Sequence, residues 1–249
     1  MTAQFWLWLD AIAMLVGGGL ILAIGKRRTG HEEAHTVIHG IVPIIAACLY
    51  LLMATGQGSI LLPVLPDSAA TRIFYYARYI DWTFTTPLLL LGLAYTSMPS
   101  GLRPGGAILG MMLADVMMIA TALAFGASVV EWVKWTWFIV SCVAFLGVYY
   151  VMWVALLEEA GRERGEVRSV YVRNAAILSV LWFLYPVILG LGTDGAGVLS
   201  STTSVALIAI IDLVSKVAYG LMSTVSTGKL VDQDLAGERP IPASLRRAA

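Results

Sequence analysis

The chain has 249 residues, 59% of them hydrophobic and only 13% charged, with a mean hydropathy of +0.81. Soluble domains carry about 25% charged residues, so this composition points to the bilayer, and no polar stretch is long enough to form a separate soluble domain. The 16 basic and 16 acidic residues cancel, which argues against a nucleic-acid partner.

The opening segment MTAQFWLWLD has no basic residue ahead of its apolar run and no small-residue cleavage site, so it is expected to remain as a helix. A transmembrane helix needs about 20 mostly apolar residues. Such runs cover 4–26, 33–55, 71–96, 104–126, 130–157, 168–191 and 199–227. The segments between them, KRRTGHEE, GQGSILLPVLPDS, SMPSGLRPGG, EEAGRERGE and GTDGAG, carry loop chemistry. The expected fold is an all-α membrane protein, a seven-transmembrane-helix bundle over 1–227. The tail 228–249, rich in charge, Pro and Ala, is expected to be disordered. Cys48 and Cys142 each lie in an apolar run and read as small buried hydrophobes, not as a disulfide or metal ligands.

Basic residues set the direction. With the N-terminus outside, the cytoplasmic loops and tail hold Lys26, Arg27, Arg28, Arg103, Arg162, Arg164, Arg168, Arg173, Lys229, Arg239, Arg246 and Arg247. The opposite side holds only Arg72 and Lys134, near helix ends. This bias predicts an N-terminus outside and a cytoplasmic C-terminus, in a multi-pass protein of the cell (inner) membrane.

A charged side chain at the bilayer centre costs about 2.5–3.5 kcal/mol or more, so each one asks for a function. Arg78, Asp81, Asp212 and Lys216 stand there. Asp115 is a fifth, whose protonated carboxyl would also serve simply to bond a neighbouring helix. Asp212 and Lys216 share one helix face, and Arg78 and Asp81 share another, which Thr85 continues. Two acids and two bases form a neutral cluster, either a static device that fixes helix register or the setting for a reactive lysine. A desolvated lysine favours the nucleophilic amine and can form an imine with an aldehyde. The aromatics Trp82, Trp137, Phe138, Phe145, Trp182 and Tyr185 fall at mid-span on three helices. Beside a buried lysine they predict a slot for a flat apolar ligand.

These residues carry a resemblance. RYIDWTFTTPLLLLGLAY (Arg78 to Tyr95), DLVSK (Asp212 to Lys216), WFLYP (Trp182 to Pro186), RNAA after the basic loop and DGAG (Asp194 to Gly197) are similar to the microbial rhodopsins, the bacteriorhodopsin branch above all. The likeness runs through essentially the whole chain. It implies all-trans retinal bound to Lys216 as a protonated Schiff base, isomerised by light, in an ion transporter or photoreceptor and not an enzyme. Asp81 then resembles the proton acceptor, Asp212 a second counterion, Arg78 the gate toward an outer release site, and Thr85 a hydrogen-bond partner of Asp81. The implied pocket comprises Tyr79, Trp82, Thr86, Leu89, Met118, Trp137, Phe138, Ser141, Cys142, Phe145, Trp182, Tyr185 and Pro186. Tyr50 and Tyr185 would bond toward Asp212, and Asp115 would sit near the ring end of retinal. Protons and the lipid bilayer are the implied partners, with a homo-oligomer expected.

The departures narrow the function. Outward pumps of this family usually place a carboxylate donor where this chain has Gly92, so Asp81, Thr85 and Gly92 form an Asp–Thr–Gly triplet. Asp194 keeps one half of the outer release pair, and Ser204 stands in place of the other. Leu189 replaces a common pocket aromatic, and Leu49 is not the histidine that proteorhodopsins use beside their acceptor. The resemblance places His39 beside Gly92, with His35 one turn nearer the cytoplasm and His31 and Glu32 in the loop. Histidine titrates near neutral pH, so His35 and His39 either relay a proton inward or merely mark the interface. Asp81 argues against a chloride pump, and the triplet lacks the Asn and Gln of a sodium pump. The expected function is a light-driven outward proton pump, with a sensory rhodopsin signalling to a transducer as the alternative.

Overall fold

The structure is a computed structural model that describes residues 1–99, 102, 105–163 and 165–235. Among these, the chain forms seven long helices and one hairpin. α1 is Ala3–Ile24, α2 Gly30–Ala54, α3 Tyr76–Ser97, α4 Gly106–Ala127, α5 Glu131–Arg162, α6 Gly165–Leu191, and α7 runs over 201–235. Local chemistry fixes several starts. The hydroxyls of Thr2, Thr29 and Ser200 accept from the main-chain N–H of Phe5, Glu32 and Thr203, so each fills one orphan donor of a first turn.

Six of these helices are long and apolar enough to cross a membrane. α3 falls short on composition because it carries Arg78, Asp81 and several threonines, yet most of those polar groups are buried inside the bundle. Outward faces are apolar: Val16, Leu109, Ile139, Val143, Leu146 and Val180 are all more than half exposed. Such side chains lose nothing to lipid, while the helices satisfy their own main-chain groups. The interior holds two apolar clusters. One lies among α3–α7 around Trp82, Leu89, Phe125 and Trp182; the other joins α1 and α2 to α7 around Leu7, Met14, Tyr50 and Ala209.

The third helix starts later than the expected residue 71. Thr71–Phe74 instead forms β2 and pairs antiparallel with β1, Ile60–Pro63, in the register Ile60↔Phe74 and Leu62↔Arg72. Alternation along β2 turns Arg72 and Phe74 inward while Thr71 and Ile73 stay exposed. At the other end of the bundle, α7 continues past the expected boundary at 227 to Leu235. Asp232 holds it there by ion pairs to Lys26 and Arg28, the former at 3.1 Å. The tail expected to be disordered, 228–249, is therefore helical over 228–235; its remainder, 236–249, lies outside the described residues, as do Arg103, Arg164, Arg239, Arg246 and Arg247.

Two helices contain π segments, Val151–Leu156 in α5 and Val214–Ala218 in α7. The second carries Lys216. π-bulges shift the side-chain register of a helix and recur at functional sites.

Candidate functional site

Lys216 is 2% exposed and projects from that π segment into the bundle. Its Nζ donates to Asp81 Oδ2 at 2.6 Å and stands 3.0 Å from Asp212 Oδ1. The two carboxylates are held differently. Asp212 accepts from Tyr50 Oη at 2.6 Å, Tyr185 Oη at 2.5 Å and Trp82 Nε1 at 3.4 Å. Asp81 Oδ1 is fully buried and has no partner among the described residues. Donors that stabilise a carboxylate also reduce its tendency to take a proton. Of the two, Asp212 is the carboxylate with more donors around its charge and Asp81 the one with fewer. Thr85, expected to bond Asp81, donates to the Asp81 main-chain carbonyl at 2.9 Å.

On one side of Lys216 lies a partly open cavity; the space between atoms there, its open side included, is about 700 Å³. Its walls are Trp82, Thr86, Leu89, Met118, Phe138, Ser141, Cys142, Phe145, Trp182, Tyr185 and Pro186, all expected, joined by Ile119, Ala122, Phe125, Leu189 and Ser215. Apolar walls, aromatic faces and a lysine at one end suit a long flat apolar ligand attached through that amine. Asp115 is fully buried behind the lining residue Thr86, whose Oγ1 lies 2.7 Å from its Oδ2.

Two expected pocket residues lie elsewhere. Trp137 is 38% exposed and faces away from the cavity, because the next residue on α5, Phe138, occupies the inward face. Tyr79 is buried but packs one turn beyond the cavity, between the rings of Phe74 and Trp82 at 5.5 and 5.4 Å. Cys48, expected to be buried, is exposed on the outside of α2, and only Cys142 faces inward, onto the cavity.

Toward the hairpin end, a smaller chamber brings together Arg78, Asp194, Ser204 and Tyr75. Arg78 lies over the Tyr75 ring at 5.3 Å, and its Nε and Nη2 have no hydrogen-bond partner among the described residues. Asp194 is paired instead with Arg72, which also donates to Gly126 O at 2.7 Å. Burial pushes the Asp194 carboxyl above the usual carboxylate range, while the cations of Arg72, Arg78 and Lys134 pull it back. Arg72 was not among the expected site residues. Its signal was faint: a cation on a strand too short to show alternation.

Toward the other end, His39 and His35 are fully buried, with ring centroids 4.4 Å apart. His35 Nε2 meets the hydroxyls of Ser223 at 3.2 Å, Thr227 at 3.3 Å and Thr96 at 3.4 Å. Neither His39 nitrogen has a partner among the described residues. A Cβ built on Gly92 would lie 2.7 Å from His39 Nε2. The ring thus occupies the space that a side chain at 92 would take. His31 packs against Tyr95 at 5.0 Å, one step nearer the tail end.

One more buried acid escaped the sequence reading. Asp10 on α1 is 2% exposed and faces Tyr50. A lone carboxylate inside an apolar run was the available signal.

Comparison with known proteins gives a consistent result. The bacteriorhodopsin-like protein family matches residues 1–230. The chain is 35% identical to Archaerhodopsin-2 of Halobacterium sp. (strain aus-2), over 87% of this chain and 82% of that protein. It is 34% identical to Sensory rhodopsin-2 of Natronomonas pharaonis, over 87% of this chain and 85% of that protein. The solved structure of the light-driven proton pump rhodopsin of Coccomyxa subellipsoidea is similar with a TM-score of 0.82 and 32% identity, covering 90% of this chain and 96% of the other.

Proposed function

This chain belongs to the bacteriorhodopsin-like family, and from that premise we propose that it is a light-driven outward proton pump. The family consists of light-driven pumps and photoreceptors, not enzymes, and its members are multi-pass proteins of the cell membrane that carry retinal on a lysine through a Schiff base. Among the described residues Lys216 is the lysine that lines the ligand-sized cavity, and it is the attachment residue in this proposal. Retinal, when bound, supplies light absorption and a change of shape.

The protein's own residues supply the proton path. Asp81 Oδ2, 2.6 Å from Lys216 Nζ, receives the proton, and this contact carries the proposal. Asp212, held by three donors, keeps its charge and anchors the cluster. Arg78 balances the second negative charge and stands between Asp81 and the chamber of Asp194 and Ser204, through which the proton leaves. On the opposite side, His39 at Gly92 takes the place of the missing carboxylate, and His35 hands it protons from the tail end. The basic loops make that end cytoplasmic in this proposal, so net movement is outward. Transport of one charge costs about 2.3 kcal/mol per 100 mV, which light provides. Assembly as a homo-oligomer belongs to the same proposal.

A second reading has its own support. Gly92 removes the usual internal donor, and one relative is named a sensory rhodopsin; a photosensor with a transducer partner fits both. Illumination of a cell suspension separates the two. The pump acidifies the medium, and a protonophore abolishes the signal. A visible photocycle with no pH change would establish the sensor instead.

A further inference from the structure

One polar chain at the tail end of the bundle has no part in the path above. It runs from α6 through α7 to α2. Arg173 stands exposed on α6, and its Nη2 donates to Asn174 Oδ1 at 3.1 Å and to Ser226 Oγ on α7 at 2.7 Å. Asn174 is fully buried, and its Nδ2 donates to Ser223 Oγ at 3.2 Å. Ser223, also fully buried, reaches His35 Nε2 at 3.2 Å. A buried side-chain amide is costly unless its polar atoms are partnered, and both ends of Asn174 are.

Donor and acceptor chemistry gives this chain one direction. A guanidinium has donors only, so the end of Asn174 facing Arg173 is the carbonyl oxygen and the end facing Ser223 is the amide N–H. Ser223 Oγ accepts that bond and keeps its own proton to give, with His35 Nε2 in reach. A second hydroxyl beside the same nitrogen behaves differently. Thr96 Oγ1 already donates to Gly92 O at 3.1 Å, so at 3.4 Å from Nε2 it offers lone pairs alone. Thr227 Oγ1, at 3.3 Å, can serve in either sense. Neutral imidazole has one bare nitrogen, and the hydrogen bonds around the ring decide which one it is. Nδ1 has no partner among the described residues, so nothing there opposes the choice made at Nε2.

We propose that Asn174 is a positioning residue for the His35 relay: it turns the Ser223 hydroxyl onto His35 Nε2, so the neutral ring keeps its proton on Nδ1. Nε2 is then the basic nitrogen, and a proton from the aqueous phase at the tail end bonds there through the nitrogen lone pair. The imidazolium so formed has an Nε2–H to give, and Thr96 Oγ1 is placed to accept it. Ser223 thus serves the uncharged ring and Thr96 the charged one, with no movement of the ring itself. The role rests on the relay described under the proposed function, whereas the tautomer does not, so the two fail separately.

Nitrogen-15 solid-state NMR of the histidine-labelled, retinal-loaded protein in lipid vesicles reads the tautomer in the dark. The chain has three histidines, and the His35 signals are those that His35→Gln removes. Wild-type His35 should show a protonated Nδ1 and a bare Nε2. Asn174→Asp keeps the shape but puts an acceptor where the amide donor was; Ser223 then donates to it, and His35 should switch to Nε2–H. If Asn174→Asp does not fold, Asn174→Ala leaves Ser223 unheld and should give a mixture of tautomers. Ser223→Ala should also switch the ring, while Ser223→Thr should preserve the wild-type form. Flash photolysis should show reprotonation about tenfold slower in Ser223→Ala than in Ser223→Thr, the worth of one hydrogen bond. A switched tautomer with unslowed recovery supports the positioning and counts against the relay. Wild-type His35 protonated on Nε2, or one tautomer shared by the wild type and all variants, would overturn the proposal.

Discussion

A carboxylate's readiness to take a proton depends on how many donors already hold its charge. Asp81 and Asp212 both touch Lys216, yet three further donors reach Asp212 while Asp81 Oδ1 has none. The resemblance already turns Tyr50 and Tyr185 toward Asp212; the third donor, Trp82, and the bare Asp81 Oδ1 depend on how the helices pack and show only in the structure. Arg72 makes the same point at the hairpin end, where it pairs with Asp194 although nothing in the sequence marks that contact. Burial raises the Asp194 carboxyl, and Arg72 is the largest opposing influence. Replacing Arg72 with Gln removes that cation and leaves burial in place. Asp194 should then keep its proton to higher pH than in the wild type. An infrared pH titration of its carboxyl band, assigned with Asp194→Asn, reads the shift directly; an unmoved titration would mean that the pair is not coupled.

Helices were more legible than their ends and faces. Apolar runs located all seven helices, since lipid demands long uninterrupted segments. The start of α3 was misplaced because Thr71–Phe74 is apolar enough to extend the run, and only pairing with Ile60–Pro63 shows it to be a strand. The resemblance puts Trp137 in the pocket beside Phe138, but only Phe138 lines the cavity. The contact between α2 and α3 is tight where a side chain is absent. A Cβ at Gly92 would meet His39 Nε2 at 2.7 Å, closer than packing permits. Gly92→Leu should therefore destabilise the pigment by about 1–3 kcal/mol through overpacking, seen as faster thermal bleaching. In a His39→Ala background the freed space should remove most of that cost. An equal cost in both backgrounds would show that His39 is not what excludes a side chain at 92.

At the scale of the whole molecule, directional transport needs different access on the two sides of Lys216. The hairpin side offers Asp81, Arg78 and a chamber with Asp194 and Ser204. The tail side offers His39 and His35 in ring contact, with three hydroxyls around His35. The missing acid at 92 and the histidines nearby were both visible in the sequence. Their contact was not, since it depends on how α2 and α3 pack. The central claim is that a histidine does the work of the absent carboxylate. Flash photolysis of His39→Ala tests it most directly. Reprotonation after the flash should slow by roughly 100-fold or more, the scale of a lost general acid, with the dark absorption spectrum almost unchanged. Recovery at the wild-type rate would contradict the account.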